Sequence, residues 1–214
     1  MKGLLKNNFF TTCANAKVFS VFMLLLGIFV VAVVSPTLLF GYMLLGMIGF
    51  SVNALASIKN EFSSKWGRYK LTLPVKRADI IKSNFMSRII WLFVGTLFAG
   101  VGMGLSRILH GCPFDRYIDV FTMFALGISI SLFMGAVFFP LLYLGSEERS
   151  EVFMVIALLC AVGIDLMIVS ITNKLLELGT TTILLGAAAL LVLSLLAFSI
   201  SYPITVGVFK RKEY

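Results

Sequence analysis

The sequence predicts an all-α integral membrane protein with six transmembrane helices and both termini in the cytoplasm. Of its 214 residues, 59% are hydrophobic and only 13% are charged, and the mean hydropathy of +1.01 lies far above that of soluble domains. Six apolar runs reach the roughly 20 residues that a membrane-spanning helix needs. Most basic residues lie at those ends of the runs that would face the same side of the membrane. One transmembrane domain, residues 1–214, therefore accounts for the whole chain.

The amino-terminal part of the chain predicts a surface helix followed by a helical hairpin. Residues 1–16 mix apolar side chains with lysines and asparagines, and they are too short and too polar to span. This pattern is typical of a helix that lies in the membrane interface. The first span is expected at about residues 18–34. Ser35 and Pro36 then make a tight turn into the second span, at about residues 38–58.

The one long polar interval, residues 59–83, predicts a helix, a break and a second helix. On a helical period, Phe62, Trp66 and Tyr69 fall on one side of its first part, and the basic residues fall mostly on other sides. Pro74 breaks this helix and suits the first turn of a new one, which continues into the third span. Any inner loop is expected to be basic, but the aromatic residues favour a surface that lies on lipid headgroups or docks into a partner.

The remaining spans follow with short connections. The third to sixth spans are expected at about residues 84–106, 120–144, 152–172 and 181–206. A polar link joins the third span to the fourth, and a short acidic cluster separates the fourth from the fifth. A basic tail ends the chain. An odd number of spans would place this tail opposite the polar interval, so six is the consistent count.

The distribution of lysine and arginine sets the orientation, because these residues are retained on the cytoplasmic side of a membrane. With the amino terminus inside, the inner side collects all of the 18 lysine and arginine residues except Arg107, Arg116 and Lys174. The formal charge of +8 therefore lies at the ends of apolar runs rather than on one exposed face. This arrangement favours anionic lipid over nucleic acid as the neighbour of the basic residues.

No pattern predicts catalysis or a metal site in the chain. The sequence contains no phosphate loop of the form G-x-x-x-x-G-K-[ST]. His110, the only histidine, falls in the predicted outer loop. Cys13, Cys112 and Cys160 match no metal-binding spacing. We therefore expect a protein that is not an enzyme and that binds no cofactor of its own.

Asp165 is the one acidic residue well inside an apolar run. An ionisable group at that depth is costly, so it is a functional candidate by default. The sequence leaves two interpretations open. Either Asp165 lines a substrate path, or it faces a wet vestibule or pairs with a hydroxyl or amide such as Ser170 or Asn173.

Three stretches resemble the ABC-2 type permeases, in particular the small six-span bacterial group. The residues that match the inner-loop pattern of this family are Glu61, Trp66, Arg68, Tyr69, Leu73, Pro74, Val75, Arg77, Ile80 and Ser83. The opening residues 1–5 are similar to the start of that group. Residues 140–149, which include Pro140-Leu-Leu-Tyr143 and Gly145-Ser-Glu147-Glu-Arg149, resemble its second inner motif.

The resemblance implies the membrane subunit of an ATP-binding cassette exporter that moves an amphipathic or hydrophobic solute, such as a peptide, an antimicrobial or a drug. It implies two partners: a separate ATPase subunit, which binds ATP and magnesium, and a second copy of the chain or a sister permease. Residues 59–83 would be the coupling segment and residues 1–16 the interfacial elbow helix. The residues expected to dock the ATPase are Glu61, Lys65, Trp66, Arg68, Tyr69, Leu73, Pro74, Arg77, Glu147 and Arg149.

Two other classes of function stay open. An accessory or immunity membrane protein would bind a cytoplasmic partner through the same loop without transporting anything. A neighbouring reading frame with a phosphate loop would favour the exporter over this class. An ion-coupled carrier built on Asp165 would transport without an ATPase, but the two three-span halves show no matching broken helices or midspan charges.

Overall fold

The computed structural model describes residues 2–33, 35–62, 64, 76–111, 114, 117–145, 149–175 and 180–211. Every regular element in these ranges is an α-helix. The helices are α1 (Lys2–Val33), α2 (Pro36–Phe62), α3 (Arg77–His110), α4 (Tyr117–Leu144), α5 (Ser150–Leu175) and α6 (Thr180–Arg211). All six are long and apolar enough to cross a membrane. The predicted all-α, six-span architecture is confirmed, and the chain is a multi-pass membrane protein.

The first helix is longer than the sequence predicts. It runs without interruption from Lys2 to Val33, so no helix end occurs near residue 16. No glycine or proline interrupts residues 4–26, and nothing in the local sequence stops the helix there. The residues at four-residue spacing on its buried face are Leu4, Asn8, Thr12 and Ala16. The amino-terminal segment is therefore packed on the bundle, and its position in the membrane interface stays a prediction.

The next two helices pack closely on each other and on α1. α1 and α2 form the predicted hairpin, and the backbone N–H of Leu39 donates to the carbonyl of Ser35 at 3.0 Å in the turn. α2 and α3 approach each other closely at Gly46 and Gly95, where a Cβ added to Gly95 would lie 2.7 Å from the Gly46 carbonyl oxygen. Glycine at this point lets two backbones come together. α3 is continuous to His110, and Pro74, the predicted start, lies outside the described residues.

The bundle has two hydrophobic cores. The first is built from buried side chains of α1, α2 and α3, with partly buried side chains of α4 packed against it. The second is built from α4, α5 and α6, together with side chains of α2 and α3, mostly from near one end of the bundle: Leu55, Ile58, Ile81, Phe85 and Leu92. α4 is the central helix, because it packs against α2, α5 and α6. The two halves of the molecule therefore join along α4.

We call the end of the bundle at which α1, α3 and α5 begin the base. α1, α3 and α6 contain 32, 34 and 32 residues, which corresponds to about 48–51 Å at about 1.5 Å per residue. They are longer than the roughly 30 Å hydrocarbon core of a bilayer. Lys6, Arg77, Lys210 and Arg211 lie on these helices near the base, and Lys76 directly precedes α3. The parts of these helices near the base are therefore polar and suited to water.

Candidate functional site

The predicted docking residues fall into two groups. Those that lie outside the described residues are Lys65, Trp66, Arg68, Tyr69, Leu73, Pro74 and Glu147. The other three are at the base. Glu61 is half-buried in the last turn of α2, Arg77 is exposed at the first residue of α3, and Arg149 is exposed just before α5. The structure thus describes both ends of the polar interval and how each is held.

The end of α2 is tied to α1, α4 and α5. Lys59 Nζ forms an ion pair with Glu151 Oε1 of α5 at 2.5 Å. Asn7 of α1 donates its side-chain amide to Glu61 Oε1 at 3.5 Å. The ring of Phe62 packs edge-on against Tyr143 of α4, with 5.4 Å between ring centroids. A displacement of this helix end must therefore move or break contacts with three other helices.

The beginning of α3 is held by a buried chain of hydrogen bonds. Asn8 of α1 donates its side-chain amide to Asn84 Oδ1 at 2.7 Å and to Ser83 Oγ at 3.3 Å. Asn84 in turn donates its amide to the hydroxyl oxygen of Tyr143 at 3.0 Å. Because buried amides are costly unless they are hydrogen-bonded, this chain fixes the relative positions of α1, α3 and α4.

The end of α6 contacts the beginning of α3 and the end of α4. Arg77 donates from Nη1 to the carbonyl oxygen of Phe209 at 3.3 Å, and its guanidinium lies 5.7 Å from the centre of the Phe209 ring. The same ring packs against Tyr143 at 5.0 Å between centroids. We call Asn8, Phe62, Asn84, Tyr143 and Phe209 the anchor cluster. It connects five helices around one tyrosine, at the point where the polar interval leaves and re-enters the bundle.

Sequence reasoning missed most of the anchor cluster. In the sequence, Tyr143 stands out only as part of the second family-like motif, and Asn8 and Asn84 do not stand out. The signal that points to Asn8 and Asn84 is an amide side chain at the edge of an apolar run. An amide that is buried there needs a hydrogen-bond partner. The partners could not be assigned, because Asn8 and Asn84 are 76 residues apart in sequence.

Asp165 lies in the interior of the bundle, with 3% of its surface exposed. Ser129 of α4 donates its hydroxyl to Asp165 Oδ2 at 2.8 Å. Asp165 thus has a hydroxyl partner, as one of the open interpretations requires, but this hydroxyl belongs to another helix rather than to Ser170. Its place on a substrate path stays a prediction.

Arg88 is a second ionisable residue in the interior, although the sequence marks it only as one of the inner basic residues. Its side chain is 1% exposed and donates from Nη2 to the carbonyl oxygen of Ser131 on α4. A Cβ on Gly135 would collide with the guanidinium, so the absence of a side chain there makes room for Arg88. The signal that could have found it is its position inside the predicted third span.

Comparison with known proteins assigns the family. No curated protein and no solved structure gives a significant match. A family model described as "ABC-2 family transporter protein" matches residues 3–210, which include the anchor cluster and, apart from Lys2 and Arg211, all six helices. Members of this family are membrane components of transporters, and membership implies association with an ATP-binding subunit. The chain belongs to the ABC-2 family of transporter membrane proteins.

Proposed function

We propose that this chain is the permease subunit of an ATP-binding cassette exporter. Residues 1–214 form one transmembrane permease domain that carries no chemistry of its own. ATP and magnesium bind to a separate ATPase subunit, and the permease converts the closure of that subunit into movement of its helices. Family membership and the six spans support this proposal.

In this proposal the base faces the cytoplasm, with both termini on that side. The support is electrostatic, because lysine and arginine are retained in cytoplasmic segments. Described basic residues at the base include Lys6, Lys59, Lys76, Arg77, Lys82, Lys210 and Arg211. At the opposite end the described residues contribute Arg107 and Lys174 as cations.

The observation that carries the proposal is the anchorage of both ends of the polar interval. A coupling segment works as a lever only if the helices that continue from it cannot slide independently of the bundle. The end of α2 is tied through Lys59 and Phe62, and the beginning of α3 through Asn84 and Arg77. A force applied to residues 59–83 would therefore reach every helix, and residues 1–16, the polar first part of α1, would move with α3 through Asn8.

The docking surface is assigned by residue type. Trp66, Tyr69, Leu73 and Pro74 would fill a cleft in the ATPase, since aromatic and apolar anchors supply most of the binding energy of interfaces. The charged residues that would match a complementary ATPase surface are Glu61, Lys65, Arg68, Arg77, Glu147 and Arg149.

The proposed cargo is an amphipathic or hydrophobic solute, such as a peptide, an antimicrobial or a drug. Its path would run along the interface between this chain and a second copy or a sister permease. α1 and α5 present apolar side chains on their outer faces, including Leu25, Phe29, Leu159 and Leu166. Such faces suit lipid or a second permease, and Asp165 is the candidate polar residue of the path.

The docking proposal is tested by the double variant Tyr69→Ala/Leu73→Asp. We expect this variant to insert and fold but to lose its ATPase subunit during purification, because the apolar anchor is removed and a charge is placed in the contact. The measurement is the ratio of ATPase to permease after tag purification, together with the thermal midpoint of the permease. Tyr117→Ala, which changes an exposed tyrosine at the opposite end, is the matched control.

Retention of a stoichiometric ATPase by Tyr69→Ala/Leu73→Asp would contradict the docking proposal. If the wild-type chain copurifies with a partner that has no ATPase activity, the accessory-protein class is favoured instead. Substrate transport by the purified permease alone, lost in Asp165→Asn, would favour the ion-coupled carrier.

A further inference from the structure

A groove between α3 and α4 opens on the surface of the bundle near the end opposite the base. It has a volume of about 350 Å³, and the side chains of Val120, Phe121 and Phe124 line it on α4. Gly100 and Gly104 line it on α3, where a Cβ added to either glycine would have no heavy atom within 4 Å. The groove is therefore a largely apolar space that protein atoms leave open, and its volume is within the range of ligand sites.

The groove lies at the depth of the acyl chains of one membrane leaflet. Gly100 and Arg107 are seven residues apart near the end of α3, which corresponds to about 10 Å at about 1.5 Å per residue. One leaflet contributes about 15 Å of hydrocarbon, which is half of the roughly 30 Å core of a bilayer. An apolar space in this position meets lipid chains rather than water.

Two hydrogen-bond donors lie at the mouth of the groove. Arg107 donates from Nη2 to the hydroxyl oxygen of Tyr117 at 3.2 Å, and its guanidinium lies 5.3 Å from the centre of the Tyr117 ring. Both residues line the groove and both are exposed. Within the described ranges Arg107 forms no ion pair. Because the Tyr117 hydroxyl accepts from Arg107, its own hydrogen can go to a further acceptor. The mouth therefore offers a positive charge and donors that suit an anionic oxygen.

A second permease copy is the other occupant to weigh, since small residues four positions apart let helices pack closely in lipid. In a dimer with a two-fold axis, the two chains present the same patch to each other. A contact through Gly100 and Gly104 would then bring the two Arg107 side chains, less than one turn further along, towards each other. Like charges repel, whereas a negatively charged head group is attracted. The charge at the mouth therefore favours lipid.

We propose that this groove binds a phospholipid with a net negative head group, from the leaflet at the end opposite the base. One acyl chain lies against Phe121 and Phe124, and the phosphate accepts hydrogen bonds from Arg107 and Tyr117. Arginine suits this role because its guanidinium can bind a phosphate through two parallel hydrogen bonds. The site is far from the docking segment, and it depends neither on the ATPase nor on which side of the membrane the base faces.

Lipid titration of the purified, delipidated full-length chain tests the head-group contact. Native mass spectrometry measures the affinities for phosphatidylglycerol and for phosphatidylcholine with the same acyl chains. We expect the wild type to bind phosphatidylglycerol about tenfold more tightly, and Arg107→Gln to abolish this preference, because a hydrogen bond to a charged group is lost. Lys174→Gln, which removes an exposed cation of α5 at the same end of the bundle, is the matched control and should keep the preference.

A second pair of variants tests the groove itself. Gly104→Leu fills the groove from α3, and it should weaken the binding of both lipids by about tenfold, because the acyl chain loses apolar contact. The variant should fold, since leucine has the higher helix propensity and the space is open. Gly163→Leu adds the same side chain in open space on α5, outside the groove, and should leave both affinities unchanged. If Gly104→Leu yields no monodisperse protein, Gly100→Leu takes its place.

Four results would overturn the lipid site. Equal affinities of the wild type for the two lipids, or a preference that Arg107→Gln keeps, would exclude the head-group contact. Equal losses of lipid binding in Gly104→Leu and Gly163→Leu would exclude the groove. Inorganic phosphate that binds as tightly as phosphatidylglycerol would show an anion site without an acyl chain. If Gly104→Leu keeps its lipid affinity but dissociates a permease dimer, a second copy occupies the groove instead.

Discussion

At the scale of single residues, Tyr143 is the centre of the anchor cluster. Its hydroxyl accepts the amide of Asn84, and its ring contacts Phe62 and Phe209. The Tyr143→Phe variant keeps the ring contacts and removes only the hydroxyl. The Asn84 amide then loses a buried partner, which costs about 1–3 kcal/mol. We expect the thermal midpoint of the purified permease to fall by about 5 °C.

Tyr202→Phe is the matched control for Tyr143→Phe. Tyr202 packs its ring against Phe85 in the same core, and no hydrogen bond of its hydroxyl is present among the described residues. We expect removal of the Tyr202 hydroxyl to leave the thermal midpoint nearly unchanged. Equal effects of the two substitutions would show that the Asn84–Tyr143 bond does not stabilise the base.

The single residues also mark where sequence reasoning reaches its limit. Asp165 could be identified from the sequence, because one carboxylate in an apolar run is unusual whatever surrounds it. Its partner Ser129 could not, since the apolar runs contain several serines and their orientation depends on how the helices pack. In the sequence, Arg88 falls among the inner basic residues, near the inner end of the predicted third span. Its burial depends on Gly135, a residue of another helix.

At the scale of helices, the crossing of α2 and α3 depends on glycine. The Gly95→Ala variant would place a methyl group 2.7 Å from the carbonyl oxygen of Gly46 and 3.1 Å from Met47 Cα. Backbone atoms cannot yield as a side chain can, so the helices must separate. Overpacking of this kind costs about 1–3 kcal/mol. We expect a fall of about 5 °C in the thermal midpoint.

The same helix supplies the control for this prediction. Gly100→Ala adds a methyl group five positions further along α3, where no heavy atom lies within 4 Å of the new Cβ. This change should not lower the midpoint, because it improves helix propensity without a clash. A midpoint for Gly95→Ala equal to that of Gly100→Ala would contradict the tight crossing of α2 and α3.

The helices themselves were largely predictable, and their ends were not. Hydropathy identifies six spans because each must present about 20 apolar residues to lipid. The same criterion assigns the polar start of α1 to a separate surface helix. Its buried face contains Asn8 and Thr12, whose polarity reflects contacts inside the protein rather than contact with water. Composition cannot distinguish these two environments, so the boundary near residue 16 was misplaced.

At the scale of the whole molecule, the proposed mechanism requires the base to face the cytoplasm. The basic residues favour this orientation, and an inverted chain would present residues 59–83 to the exterior, where no ATP is hydrolysed. Single cysteines placed at the two ends of the bundle, with Cys13, Cys112 and Cys160 replaced by serine, decide between the two cases. His110→Cys reports the end opposite the base, and Arg211→Cys reports the base; both positions are exposed.

We expect a membrane-impermeant maleimide to label His110→Cys in intact cells and to label Arg211→Cys only after the membrane is opened. We expect this labelling pattern because lysine and arginine close to the ends of spans favour the cytoplasmic side. Labelling both variants in opened cells controls for reactivity, since each thiol must then react. If Arg211→Cys is labelled in intact cells and His110→Cys is not, the base is outside. The docking proposal then fails.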